Sequence, residues 1–171
     1  MEVMKKMPPL KKIGCLGFTL LELTLVMFFM ALIAGLSTPF VMTTLDRMEL
    51  QSSARKVAST LRYARSEAIA SKKPVVFSGN LTRNQFWVTQ DYKNKTKKIT
   101  SITDPVSLTH FIYEGEDNFF RDGEFTVTFY PQGNSSGGLI AMNIKESKNL
   151  DNYYAISVDP ITGQTKIKKN K

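Results

Sequence analysis

Thiol and imidazole chemistry are nearly missing from this sequence: Cys15 is its only cysteine and His110 its only histidine among 171 residues. One cysteine excludes an intramolecular disulfide. No Cys/His cluster has zinc-ligand spacing, and a single histidine on an alternating, strand-like stretch reads as a packing or surface residue. A serine nucleophile would need a histidine and an acid beside it, and His110 has no such context. No glycine-rich turn is followed by the lysine of a phosphate loop. Glu114, Glu116, Asp117, Asp122 and Glu124 cluster in sequence without EF-hand spacing, so a solvated acidic loop with an Asp122-Gly123 turn is preferred to a calcium site. No metal, cofactor or catalytic residue is expected, and the role inferred is non-enzymatic. Internal repeats and low-complexity linkers are also lacking.

Charge is missing from one long stretch. From Phe18 to Leu45 the only ionisable side chain is Glu22, amid dense aliphatic and aromatic residues. As a helix those 28 positions would span about 42 Å, more than the roughly 30 Å of a hydrocarbon core. The segment can therefore cross a bilayer and project beyond it. Ahead of it, Lys5, Lys6, Lys11 and Lys12 against Glu2 contribute +3 of the formal charge of +8. Lysines before a membrane segment hold that end in the cytoplasm, which places the chain after Leu45 across the membrane. Ile13-Gly14-Cys15 resembles a lipoprotein box, but the apolar run follows the cysteine instead of preceding it. An ordinary secretory signal fits the basic flank better. Against it, the run is long for such a signal, and only Gly35-Leu36-Ser37 offers a weak cleavage pair.

Glu22 has two readings on its own residues: an acid at membrane depth, which is usually functional, or an acid at headgroup level with the span starting at Leu23. Pro39 removes a helical hydrogen bond and should kink or locally melt the helix, or else end it. Beyond it, Leu50, Ala54, Val57, Leu61, Ala64 and Ala68 recur at helical spacing and predict an amphipathic continuation, so that one helix runs from Phe18 to Ser71 before Lys72-Lys73-Pro74 stops it. Alternating stretches at 75–78, 85–90, 99–102, 108–113, 125–130, 139–144, 153–158 and 163–167 predict six to eight antiparallel strands, the last an edge strand. The fold class expected is α+β, a long helix packed on a small antiparallel sandwich. Its segments are a leader (1–17), a transmembrane helix (18–45), a spine helix (46–73) and a β domain (74–171).

The junction Lys11-Lys12-Ile13-Gly14-Cys15-Leu16-Gly17-Phe18-Thr19-Leu20-Leu21-Glu22-Leu23 closely resembles the leader junction of type IV pilins and type II secretion pseudopilins. That resemblance implies cleavage after Gly17 by a prepilin peptidase, N-methylation of Phe18 by the same enzyme, and a role for Glu22 in subunit assembly. A buried carboxylate needs a positive partner, and the new α-amine of Phe18 on a neighbouring subunit would supply it in an open helical filament. It also favours a kink at Pro39, since pilin helices commonly carry glycine and proline there.

Leu61-Arg62-Tyr63-Ala64-Arg65-Ser66-Glu67-Ala68-Ile69 with Lys73-Pro74-Val75, then Phe129-Tyr130-Pro131-Gln132-Gly133 with Gly137-Gly138, and finally Thr162-Gly163, resemble the GspH/FimT group of minor pseudopilins and pilins. The resemblance implies a pilin fold and a structural minor pseudopilin of a type II secretion system. The expected setting is the bacterial inner membrane with a periplasmic domain. The expected partners are the peptidase, the membrane, and other pseudopilins in a filament or its tip. The alternative is a FimT-like minor pilin of a type IV pilus that binds DNA during uptake. Lys166, Lys168, Lys169 and Lys171 would be its phosphate contacts. The uptake activity goes with an arginine pattern after the glycine where this chain has Gln164 and lysines, so a solvated terminus is preferred.

Overall fold

The computed structural model describes residues 18–90, 99–115, 119–145 and 153–169. The leader with Gly17, the lysine-rich loop at 93–98, Glu116, Asp117 and Lys171 lie outside them. The chain divides into two compact units, one ending at Val41 and the other running from Met42 to Lys171.

Helix α1 spans Leu20–Ser71. Its start follows from Thr19, whose hydroxyl accepts a hydrogen bond from the Glu22 N–H at 3.2 Å, while its carbonyl accepts from the Leu23 N–H at 3.2 Å. This is an N-cap, the way a threonine satisfies a free amide of the first turn. The helix ends as Lys72 turns into the left-handed region at φ 54, with Pro74 unable to continue it. The helical backbone continues through Pro39.

In the second unit, Ala54, Val57, Ala58, Leu61, Ala64 and Ala68 are each 0% exposed, and Leu50 is 3% exposed. This is the stripe expected from the sequence plus Ala58. Small alanines let the sheets approach the helix closely. Nine strands follow among the described residues: β1 (Val75–Asn80), β2 (Gln85–Gln90), β3 (Thr100–Ser101), β4 (Val106–Ile112), β5 (Phe119–Phe120), β6 (Glu124–Phe129), β7 (Gly138–Ile144), β8 (Tyr154–Val158) and β9 (Thr165–Lys169). They form a four-stranded sheet, β3-β2-β1-β6, and a five-stranded sheet, β5-β4-β7-β8-β9. All the pairings are antiparallel.

Inward side chains of both sheets and the helix stripe share one apolar cluster. Its joint is aromatic: Phe125 of the first sheet stacks on Phe111 of the second, centroids 4.4 Å apart at 12°. Such stacking adds about 0.5–1.5 kcal/mol beyond area burial. The pair needs space that only glycine leaves, since a Cβ at Gly79 would fall 2.3 Å from Phe125 and one at Gly138 2.5 Å from Phe111.

Candidate functional site

Two features stand apart from this packing. The first is the N-terminal part of α1. From Phe18 to Glu49 no described residue is buried; Leu50 is the first that is. Leu21 is 72% exposed, Phe28 62% and Met30 67%, on different sides of the helix. A helix that is apolar all round belongs inside a membrane or among other helices. Two of its hydroxyls are already satisfied within it. The Thr24 hydroxyl donates to the Leu21 carbonyl at 2.9 Å and the Ser37 hydroxyl to the Ile33 carbonyl at 2.8 Å, the arrangement a hydroxyl needs where water is absent. The Glu22 carboxylate, by contrast, has no partner among the described residues. It sits in the first turn, where the helix dipole favours a negative charge. Phe18 lies just outside the helix. Of Pro39, the described structure gives the helical backbone only.

The second feature is a latch on the spine. Arg65 donates from Nε to the carbonyls of Gly133 and Thr162, each at 3.0 Å. Arg62 reaches the Thr165 carbonyl at 3.3 Å. One helical turn thus holds the β6–β7 connection and the β8–β9 turn together. The second turn is rigid in itself. The Asp159 carboxylate accepts from the backbone N–H groups of Ile161 and Thr162 at 3.0 and 2.7 Å and from the Thr162 hydroxyl at 3.0 Å. The backbone and side-chain bonds from Thr162 hold the Asp159 pKa below its usual 3.8. Gly163 closes the turn at φ +62, and a Cβ there would stand 2.3 Å from the Gly133 carbonyl. The three sequence segments that carried the GspH/FimT resemblance are therefore one physical junction.

The C-terminal lysines divide between faces. In β9, Lys166 pairs with Ser157 and Lys168 with Ala155 on one face of the sheet, whereas Lys169 takes the other; all three are exposed. His110 is half-buried beside Phe119 and Tyr153, at ring-centroid distances of 5.8 and 6.2 Å. Burial, and then the Arg121 charge, push its pKa below 6.5. No group of three metal-ligating side chains occurs among the described residues.

Sequence reasoning overlooked the Thr19 cap, although Thr19-Leu20-Leu21-Glu22 has the spacing of a capping box. It also overlooked Arg65, whose bonds span 68 and 97 positions; no local pattern could have found them.

Comparison with known proteins gives a consistent picture. The family model described as "Type II transport protein GspH" matches residues 53–162. The chain is 25% identical over 150 residues to type II secretion system protein H of Xanthomonas campestris pv. campestris, covering 88% of this chain and 81% of that protein. Its fold matches the crystal structure of the minor pseudopilin EpsH from the type II secretion system of Vibrio cholerae, with TM-score 0.58, 11% identity, and coverage of 73% of this chain and 99% of that one. It also matches the type IV minor pilin FimU of Pseudomonas aeruginosa, with TM-score 0.51, 16% identity, and coverage of 71% and 90%.

Proposed function

This chain belongs to the GspH family of type II transport proteins, and on that premise we propose that it is a minor pseudopilin, a structural subunit of the periplasmic filament that drives protein export across the outer membrane. The observation that carries this reading is the helix from Leu20 to Leu45, which has Glu22 as its only charge and none of whose described residues is buried. The β domain has its own core, and no described residue of this stretch is buried, so in this reading its cover comes from the bilayer first, and from the helices of other subunits after assembly. The family and the lone apolar helix fit an inner-membrane anchor with a periplasmic domain. The leader lysines favour a cytoplasmic N-terminus.

The N-terminal chemistry follows from the same helix. Cleavage after Gly17 discards the leader and frees the Phe18 amine, which the peptidase then methylates. The Glu22 carboxylate, without a partner among the described residues, would meet such an amine on a neighbouring subunit. An ion left alone in an apolar setting costs several kcal/mol, so this pairing sets which helix register assembles. Pro39, with Gly35 and Ser37 nearby, supplies a place where the helix can loosen as it leaves the bilayer.

Mass spectrometry of the mature N-terminus tests the processing. The expected result is a chain beginning with N-methylated Phe18, and a start near Thr38 would sink it. Glu22→Ala is expected to leave cleavage at Gly17 largely intact but to weaken methylation or filament assembly. Unimpaired filaments from that variant would refute the pairing.

A further inference from the structure

Strand alternation gives each sheet an outer face turned away from the common core, and the two faces differ in chemistry. On the four-stranded sheet, the register sets Trp87, Ser78 and Thr126 in one row across β2, β1 and β6. Gln85, Asn80 and Glu124 form the next row. The chain carries 23 lysines and arginines and a formal charge of +8, yet neither row contains one. Glu124 is their single charge, and it already accepts a hydrogen bond from Asn80 at 3.2 Å. The outer face of the five-stranded sheet carries Lys166 and Lys168 instead.

We propose that the outer face of the four-stranded sheet is where this domain packs against the domain of a neighbouring subunit in the filament. The proposal rests on the subunit reading above. Helices that cover one another bring their attached domains side by side, so some face of each domain must lose water. Lysine is the residue that contact surfaces avoid at their centres, because its ammonium is strongly hydrated, whereas tryptophan is favoured there. The neutral face meets both conditions. Trp87 is the chain's only tryptophan; it stands partly buried in the row that also holds the exposed Thr126. Ser78 and Asn80 are already buried within the chain, at 8% and 9% exposure, while Gln85 and the exposed Thr126 can exchange water for polar groups of a partner without stranding a charge. The fitting partner surface is polar and uncharged, with an apolar notch for the indole.

Photo-crosslinking of the full-length chain, produced together with the other filament subunits in native membranes, tests this. Cys15 is the only native cysteine, so a Cys15→Ser background accepts a single benzophenone label at Thr126→Cys, at Lys168→Cys on the opposite sheet, or at Met27→Cys on the apolar helix. The expected result is an adduct from Thr126→Cys whose partner is identified by mass spectrometry as another filament subunit, with far less from Lys168→Cys. An adduct from Met27→Cys but none from Thr126→Cys overturns the face and leaves the subunit reading intact. No adduct at either position overturns both. An adduct from Thr126→Cys only to a protein outside the filament also overturns the face. Thr126→Arg provides an independent measure: Thr126 is exposed, so thermal stability should hold while export falls about tenfold or more, the effect of placing an unpaired charge in a contact. Unchanged export by that variant overturns the proposal.

Discussion

Between Leu20 and Glu49, helix α1 buries none of its described residues; between Leu50 and Ala68 it buries a continuous stripe. The halves also differ in the size of their apolar residues. Up to Leu45 the exposed half is rich in leucine, phenylalanine and methionine, with Glu22 its only charge. The buried half relies on alanines with Val57 and Leu61, and is polar elsewhere. Large apolar residues without a partner in the chain point to contacts made with other molecules. Small ones under 1% exposure point to contacts already made. One continuous helix thus serves folding in its second half and, in the function proposed above, assembly in its first.

That comparison breaks most sharply at Leu61, which is 0% exposed. Leu61→Ala should lower the unfolding free energy by about 2–5 kcal/mol, through lost transfer energy and the cavity left behind; chemical denaturation measures it. Arg65→Met keeps much of the side-chain bulk but leaves the Gly133 and Thr162 carbonyls without their guanidinium. Its expected cost is about 1–3 kcal/mol, with faster amide exchange in both turns and little change in β1 or β2. On the other half, Leu25→Ala should change domain stability by less than about 0.5 kcal/mol, because Leu25 is 50% exposed and touches no core. A large drop in the melting temperature for Leu25→Ala would erase the distinction between the halves.

The smallest effect concerns pH. The His110 pKa lies below 6.5 in the fold because burial, and then Arg121, oppose its charged form. Its contribution to stability is therefore present above about 6.5, the unfolded value. It is lost as pH falls through the lower folded value, because the unfolded chain takes up the proton first. His110→Gln should flatten that acid limb of a melting-temperature profile. An unchanged profile would show that the surrounding rings do not hold the imidazole neutral.

Much of this architecture could be read from local pattern. The spine stripe was visible in helical spacing, and the helix stop in Lys72-Lys73-Pro74; the observed helix begins two positions after the expected Phe18. Most strands fell within a few residues of expectation. Where strands were missed or shifted, the cause is physical. Phe119–Phe120 is too short to show a period. The last strand starts at Thr165 rather than Gly163, since Gly163 is held in the turn at φ +62. The division into two sheets depends on pairings between distant segments, which alternation alone does not specify. Glu22 drew attention as a lone acid, but the first-turn cap beside it required the placement of Thr19.

The Arg65 latch also has a mechanical consequence. A filament subunit is pushed or pulled through its helix, and a sheet loaded at one strand end can peel open one hydrogen bond at a time. Here the helix grips both the β6–β7 connection and the β8–β9 turn, so force reaches both sheets at once. Bonds loaded in parallel share tension, and the domain should yield later and more abruptly than one tethered by its packed stripe alone.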